Sequence, residues 1–98
     1  MVAAALLTTR ALAAGAAAPT LDPAGLADAC TSCHGLNGRS AGAIPAIGGL
    51  DRQTIATALH DFRDHKRSDA TIMDRIARGY SDAEIDALAE YFSKVSKP

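Results

Sequence analysis

An all-α fold in one small domain is what this sequence predicts, and three observations lead to it. Apolar side chains recur every three or four positions in several stretches, the spacing of one helical face, and no strand-like alternation runs through any of them. Helix-boundary chemistry brackets those stretches: Asp22-Pro23 and Ser81-x-x-Glu84 stand before two of them, and Gly35 and Gly79 stand after two. The third observation is composition. Of 98 residues 48% are hydrophobic, yet only 4% are aromatic and none is Trp, so much of the apolar share is alanine. Alanine fills little volume, and a chain this short often needs a disulfide, metal, cofactor or partner to complete its core. The net charge of −1, with both signs interspersed, carries no general affinity for nucleic acid.

Residues 1–18 are mostly small and apolar, with Ala-x-Ala patterns at Ala11 to Ala13 and Ala16 to Ala18, like the end of a secretory signal peptide. No basic region precedes the apolar run and Arg10 interrupts it, so the alternative is an Ala-rich leader. Export to the periplasm is the expectation. The mature domain then covers residues 19–98, and no run reaches the ~18 apolar residues needed to cross a bilayer.

The first helix is expected over residues 23–34, with Asp22 as N-cap and Pro23 at the first helical position. Leu26, Ala29 and Cys30 share a face, and Gly35 ends the helix in the left-handed region. Residues 35–50, rich in Gly and Ala, show no period and form a loop long enough to suggest a function. A second helix runs from Asp51 to about His65, with Ile55, Ala58, Leu59 and Phe62 as its stripe. The mixed charges of residues 63–69 close it. A short helical stretch follows, with Ile72, Met73 and Ile76 apolar, and stops at Gly79. The last helix opens on the Ser81/Glu84 capping box and aligns Ile85, Leu88, Ala89, Phe92 and Val95 on one face.

The chemistry resides in Cys30-Thr31-Ser32-Cys33-His34, which contains both cysteines of the chain. Cys-x-x-Cys-His is the attachment signature of a c-type haem. Two thiols one helical turn apart can each bond one vinyl group of the porphyrin, and the adjacent histidine lies under the iron. The other uses of two cysteines fit less well. A thioredoxin-like dithiol needs a βαβ setting, and a zinc site from Cys30, Cys33, His60 and His65 has too wide a central gap. A disulfide remains compatible with an oxidising compartment.

Candidates for the iron's sixth ligand are Met73, His60 and His65. A thioether favours ferrous iron, and Met73 lies far enough along the chain to return on the opposite face of the ring, so it is preferred. Its alternative role is core packing beside Ile72 and Ile76. His60 and His65 sit among Asp61, Asp64 and Lys66, where a solvated histidine is the simpler reading. A ligating histidine usually donates its other ring nitrogen to a carbonyl or carboxylate. Pro45, or a neighbour, could present that carbonyl, or Pro45 could merely stiffen the loop. Arg39, Arg75, Arg78 and Tyr80 could pair with haem propionates, although each taken singly fits a solvated surface.

Taken in order, the attachment signature, the loop with Pro45, a helix, a methionine segment and an aromatic-bearing last helix resemble a class I cytochrome c. Two stretches, Thr71-Ile72-Met73-Asp74-Arg75-Ile76-Ala77-Arg78-Gly79-Tyr80-Ser81 and Ala89-Glu90-Tyr91-Phe92, are most similar to the monohaem cytochrome subunits of flavocytochrome c sulfide dehydrogenases. The resemblance implies one covalent haem c in a compact all-α wrap. It implies Cys30 and Cys33 as attachment points and His34 and Met73 as the axial pair. It also implies that first and last helices cross, with Gly25 and Leu26 against residues 88–92. The expected function is a periplasmic carrier of single electrons with no catalytic residue, serving as the electron-accepting subunit of a flavoprotein sulfide dehydrogenase. The flavoprotein subunit, or another redox protein, is then the expected partner. Alternatives are a free soluble electron shuttle, a haem sensor or enzyme with an open sixth site, and a haem-free helical module stapled by a disulfide.

Overall fold

The computed structural model describes residues 3–5 and 21–96. The expected leader lies outside the described residues except for positions 3–5, which are exposed and without regular structure. The described chain contains α1 (Pro23–His34), a single 3-10 turn (Leu36–Gly38), α2 (Arg52–Arg63), α3 (Met73–Ala77) and α4 (Asp82–Ser93), and no strand among the described residues.

α4 is the axis of the core. Ser81 accepts from the Glu84 N–H at 3.2 Å while the Glu84 carboxylate accepts from the Ser81 N–H at 3.0 Å, so the expected capping box is formed. Ile85, Leu88, Ala89 and Phe92, one turn apart along one stripe, are at most 1% exposed. Phe92 alone contributes about 2–3 kcal/mol of apolar burial. α2 packs on α3 and α4, and α1 packs on α4. The α1–α4 crossing forms as expected with Leu26 against residues 88–92, but Ala27 rather than Gly25 is its buried member. Ala27 is buried there beside Leu88, Ala89 and Phe92, with Leu26 and Cys30 partly buried around it. Gly25 is exposed, and the atoms nearest its missing Cβ belong to Asp22.

The helix ends carry the main departures from expectation. Asp22 occupies the N-cap of α1 without making a side-chain cap. Gly35 has φ +82° and ψ 165°, positive as expected but outside the left-handed helical well, and its N–H still bonds Thr31 O. Asp51 is not helical; it caps α2, accepting from the N–H groups of Gln53 and Thr54. α2 stops at Arg63, two residues early, in a Schellman motif: Lys66 N–H bonds Asp61 O and His65 N–H bonds Phe62 O. His65 takes the left-handed position normally held by glycine, at φ +57°. Burial on α2 centres on Ile55 and Ala56, rotated slightly from the Ile55, Ala58, Leu59, Phe62 stripe, because α2 is shared between α3 and α4.

Among the described residues, only Phe92, Ile85 and Leu88 are large, fully buried side chains. Leu36, Ile44, Leu50, Ile72 and Ile76 are exposed. The helices thus share a narrow seam, and much of the apolar capacity faces outward.

Candidate haem site

Cys30 and Cys33 stand one turn apart on α1 and form no disulfide. Cys30 is half-buried against the α1–α4 seam and Cys33 is exposed. Burial pushes the Cys30 thiol up from its ordinary value, so at neutral pH it is a protonated thiol.

His34 is the last residue of α1. Its Nδ1 lies 2.7 Å from the Pro45 carbonyl oxygen. A carbonyl only accepts, so Nδ1 carries the proton and Nε2 has a free lone pair. Of the two roles left open for Pro45, the carbonyl acceptor is the one the geometry shows. Loop residues 35–50 are held in place to present it. Ile47 and Gly48 N–H both bond Gly38 O, at 2.8 and 3.0 Å, and Gly49 N–H bonds Phe92 O at 2.8 Å. Gly48 has no room for a side chain, since a Cβ would lie 2.3 Å from Asn37 O. The loop is therefore tied twice, to itself and to the end of α4.

Met73 is half-buried at the start of α3. Of the other sixth-ligand candidates, one is engaged by charged side chains and one is exposed. His60 Nδ1 lies 3.1 Å from Arg63 Nη2 and 3.7 Å from Asp82 Oδ1, and its Nε2 lies 3.9 Å from Asp86 Oδ1. His65 is exposed in the α2 C-terminal turn. Among the described residues, no three His, Cys, Asp or Glu side chains converge as a metal cluster, so Cys30, Cys33, His60 and His65 do not meet. Of the side chains considered for propionates, Arg39 bonds Ser96 Oγ, three residues past the end of α4, while Arg75 and Arg78 are exposed. Tyr80 packs near the Cys30 side of the seam; burial first, then Cys30 and Glu84, push its phenol up, so it stays neutral.

The residues fit a covalent haem. Two unpaired thiols and a histidine with a free Nε2 lie within the last five residues of α1. Exposed Leu36 and Ile44 neighbour His34 and its acceptor Pro45 in the chain, and exposed Ile72 and Ile76 flank Met73, so apolar surface accompanies both candidate ligands. Next to Met73 in the chain, Asp74 Oδ1 is buried without a hydrogen-bond partner.

Sequence reasoning had no signal for the Arg63 contacts with Asp82 and Tyr80, nor for the closure of the loop through Gly38 and Gly48. Both join residues remote in sequence without a motif.

Comparison with known proteins bears on the family of the chain. The family described as Cytochrome c matches residues 23–96. The chain is 46% identical over 68 residues to the cytochrome subunit of sulfide dehydrogenase of Chlorobaculum tepidum, covering 69% of this chain and 61% of that protein. It is 37% identical over 71 residues to the thiosulfate dehydrogenase electron acceptor of Stutzerimonas stutzeri, covering 69% of this chain and 33% of that protein. It is 32% identical over 83 residues to cytochrome c-553 of Nitratidesulfovibrio vulgaris, covering 81% of each. The chain therefore spans between a third and three fifths of the sulfide and thiosulfate relatives.

Proposed function

The chain belongs to the cytochrome c family, and from that premise we propose that it takes electrons from a flavoprotein sulfide dehydrogenase as that enzyme's cytochrome subunit, in the periplasm. Members of this family are electron carriers bearing covalent haem c, and the 98 residues hold one attachment signature. Haem c supplies a one-electron ferric/ferrous couple. Cys30 and Cys33 would anchor the porphyrin, and His34, through Nε2, and Met73 would hold its iron. The observation that carries the assignment is the 2.7 Å bond from His34 Nδ1 to Pro45 O. It fixes the tautomer and aims the ring, and partial negative charge on the acceptor strengthens the imidazole as a donor to iron. With His34 and Met73 both on the iron, no position would be left there for substrate, and reorganisation on electron transfer would be small. The chain's own work is to set the potential through ligand, burial and hydrogen bonds.

Residues 71–81 and 89–92, together with the 46% identity to a sulfide dehydrogenase subunit, support the partner assignment. Residues 1–18, with their Ala-x-Ala patterns, support a signal peptide and export, leaving 19–98 as the domain.

Spectra of the ferric and ferrous protein, native and denatured, test the cofactor arrangement. Haem that stays with the denatured polypeptide and a far-red methionine-to-iron band lost in Met73→Ala are expected. A band unchanged in Met73→Ala refutes methionine ligation. Sulfide-dependent reduction through a co-purifying flavoprotein tests the partner; a cytochrome that runs alone and is not reduced this way is a free shuttle.

A further inference from the structure

The segment between α2 and α4, residues 64–81, carries Met73 on a helix of five residues. So short a helix does not hold itself together in water. What fixes it is contact with its surroundings, and the contacts at its two ends both lead to the last turn of α2.

At the upstream end Arg67 lies 4.5 Å above the Phe62 ring and grips Asp69 through two hydrogen bonds, at 3.0 and 2.6 Å. At the downstream end the contacts come from Arg63, whose side chain is 22% exposed. Its Nη1 lies 2.6 Å from Asp82 Oδ1 and makes a long 3.5 Å contact to Tyr80 O. Its Nη2 lies 3.1 Å from His60 Nδ1, and its Nε donates to Asp64 Oδ1 at 3.3 Å. Asp82 and Asp64 keep the guanidinium charged. One planar group therefore joins α2 to the junction where the methionine segment becomes α4. Lysine, with one ammonium, does not reproduce that fork.

The junction is linked rigidly to Met73. Ala77, in α3, is fully buried. Gly79 N–H bonds Ile76 O and Tyr80 N–H bonds Ala77 O, both at 3.2 Å, and the Ser81 capping box follows directly. Movement at residues 80–82 is thus passed along a hydrogen-bonded path to α3.

We propose that Arg63 is a positioning residue for Met73: by fastening residues 80–82 to α2, it holds the methionine segment in its ligating position. The inference rests on Met73 being an axial ligand. Arg63 acts only through the backbone it restrains. Its loss favours states in which the segment swings away, and an external ligand then competes more easily for the iron.

Imidazole titration of the ferric holoprotein, followed by loss of the far-red band, reads this directly. Arg63→Gln and Asp82→Asn should each raise the apparent imidazole affinity about threefold, the scale of one exposed ion pair. The double variant should fall short of the product of the two single effects, because both remove the Arg63–Asp82 contact. Arg63→Lys should fall between wild type and Arg63→Gln, and supplies the measurement if Arg63→Gln does not fold. Glu90→Gln, which breaks the 2.8 Å Lys94–Glu90 pair elsewhere on α4, should leave imidazole affinity unchanged. Arg63 variants with wild-type affinity, or Glu90→Gln raising it equally, overturn the inference while leaving Met73 ligation standing. A far-red band that survives Met73→Ala overturns both.

Discussion

Gly38→Ala is the most exacting test of how the histidine side of the site is built. Gly38 has φ +70°, where a side chain costs about 1 kcal/mol. An added Cβ would lie 2.8 Å from Gly48 N, 2.8 Å from Ile47 Cγ1 and 3.0 Å from Phe92 Cδ1. The first is backbone and the last belongs to a core ring, so neither retreats freely. Relief requires the two strands of the loop to part, which weakens the bonds from Ile47 and Gly48 N–H to Gly38 O. Two such bonds are worth about 1–3 kcal/mol together. The sum is a loss of about 2–4 kcal/mol. In urea, with an m-value of about 1 kcal/mol/M for so small a domain, the midpoint should fall by about 2–4 M. The loop also presents Pro45 to His34, so the ferric spectrum should broaden as the imidazole loses its fixed orientation. A stability loss below about 1 kcal/mol with an unchanged spectrum would refute the claim that the Gly38–Gly48 closure aims His34.

Other expectations are smaller. His65→Gly should raise stability by about 0.5–1 kcal/mol, because glycine takes the left-handed position without strain; thermal unfolding, shifted up by a few degrees, checks it. Ser81→Ala removes one half of the capping box and should cost about 1 kcal/mol in denaturant unfolding. Asp82, Asp69 and Glu90 have pKa values held below the ordinary carboxylate range, chiefly by hydrogen bonds from Arg63, Arg67 and Lys94. Their unfolded values are the higher ones, so this stability is complete above the ordinary range and is lost as pH falls through the depressed folded values. Replacing all three by Asn, Asn and Gln should flatten the acid limb of a stability–pH curve; an unchanged limb would show that other groups control it.

Much of the site was legible because its chemistry is local. The Cys30–Cys33 spacing matches one helical turn, and His34 follows directly, so the arrangement of the three depends on helix geometry alone. The Ser81/Glu84 box was equally legible, since both partners lie within four residues. The end of α2 was less so. A left-handed histidine makes the Schellman motif there, and residue type does not announce it. The choice of Ala27 over Gly25 at the α1–α4 crossing also escaped, because it depends on the rotation of one helix against another.

By itself the sequence determined the all-helical class, the attachment signature, the family and the run of apolar residues along α4. Each of these is a short-range pattern with a fixed period or spacing. Only the tertiary structure decided that Pro45 rather than another carbonyl meets His34, and that both of the nitrogens of His60 face charged side chains. It likewise decided that Arg63 reaches the turn after Met73. Apart from the His60–Arg63 contact within α2, these join residues separated by 11 to 26 positions and are set by how the helices pack, which no local spacing encodes.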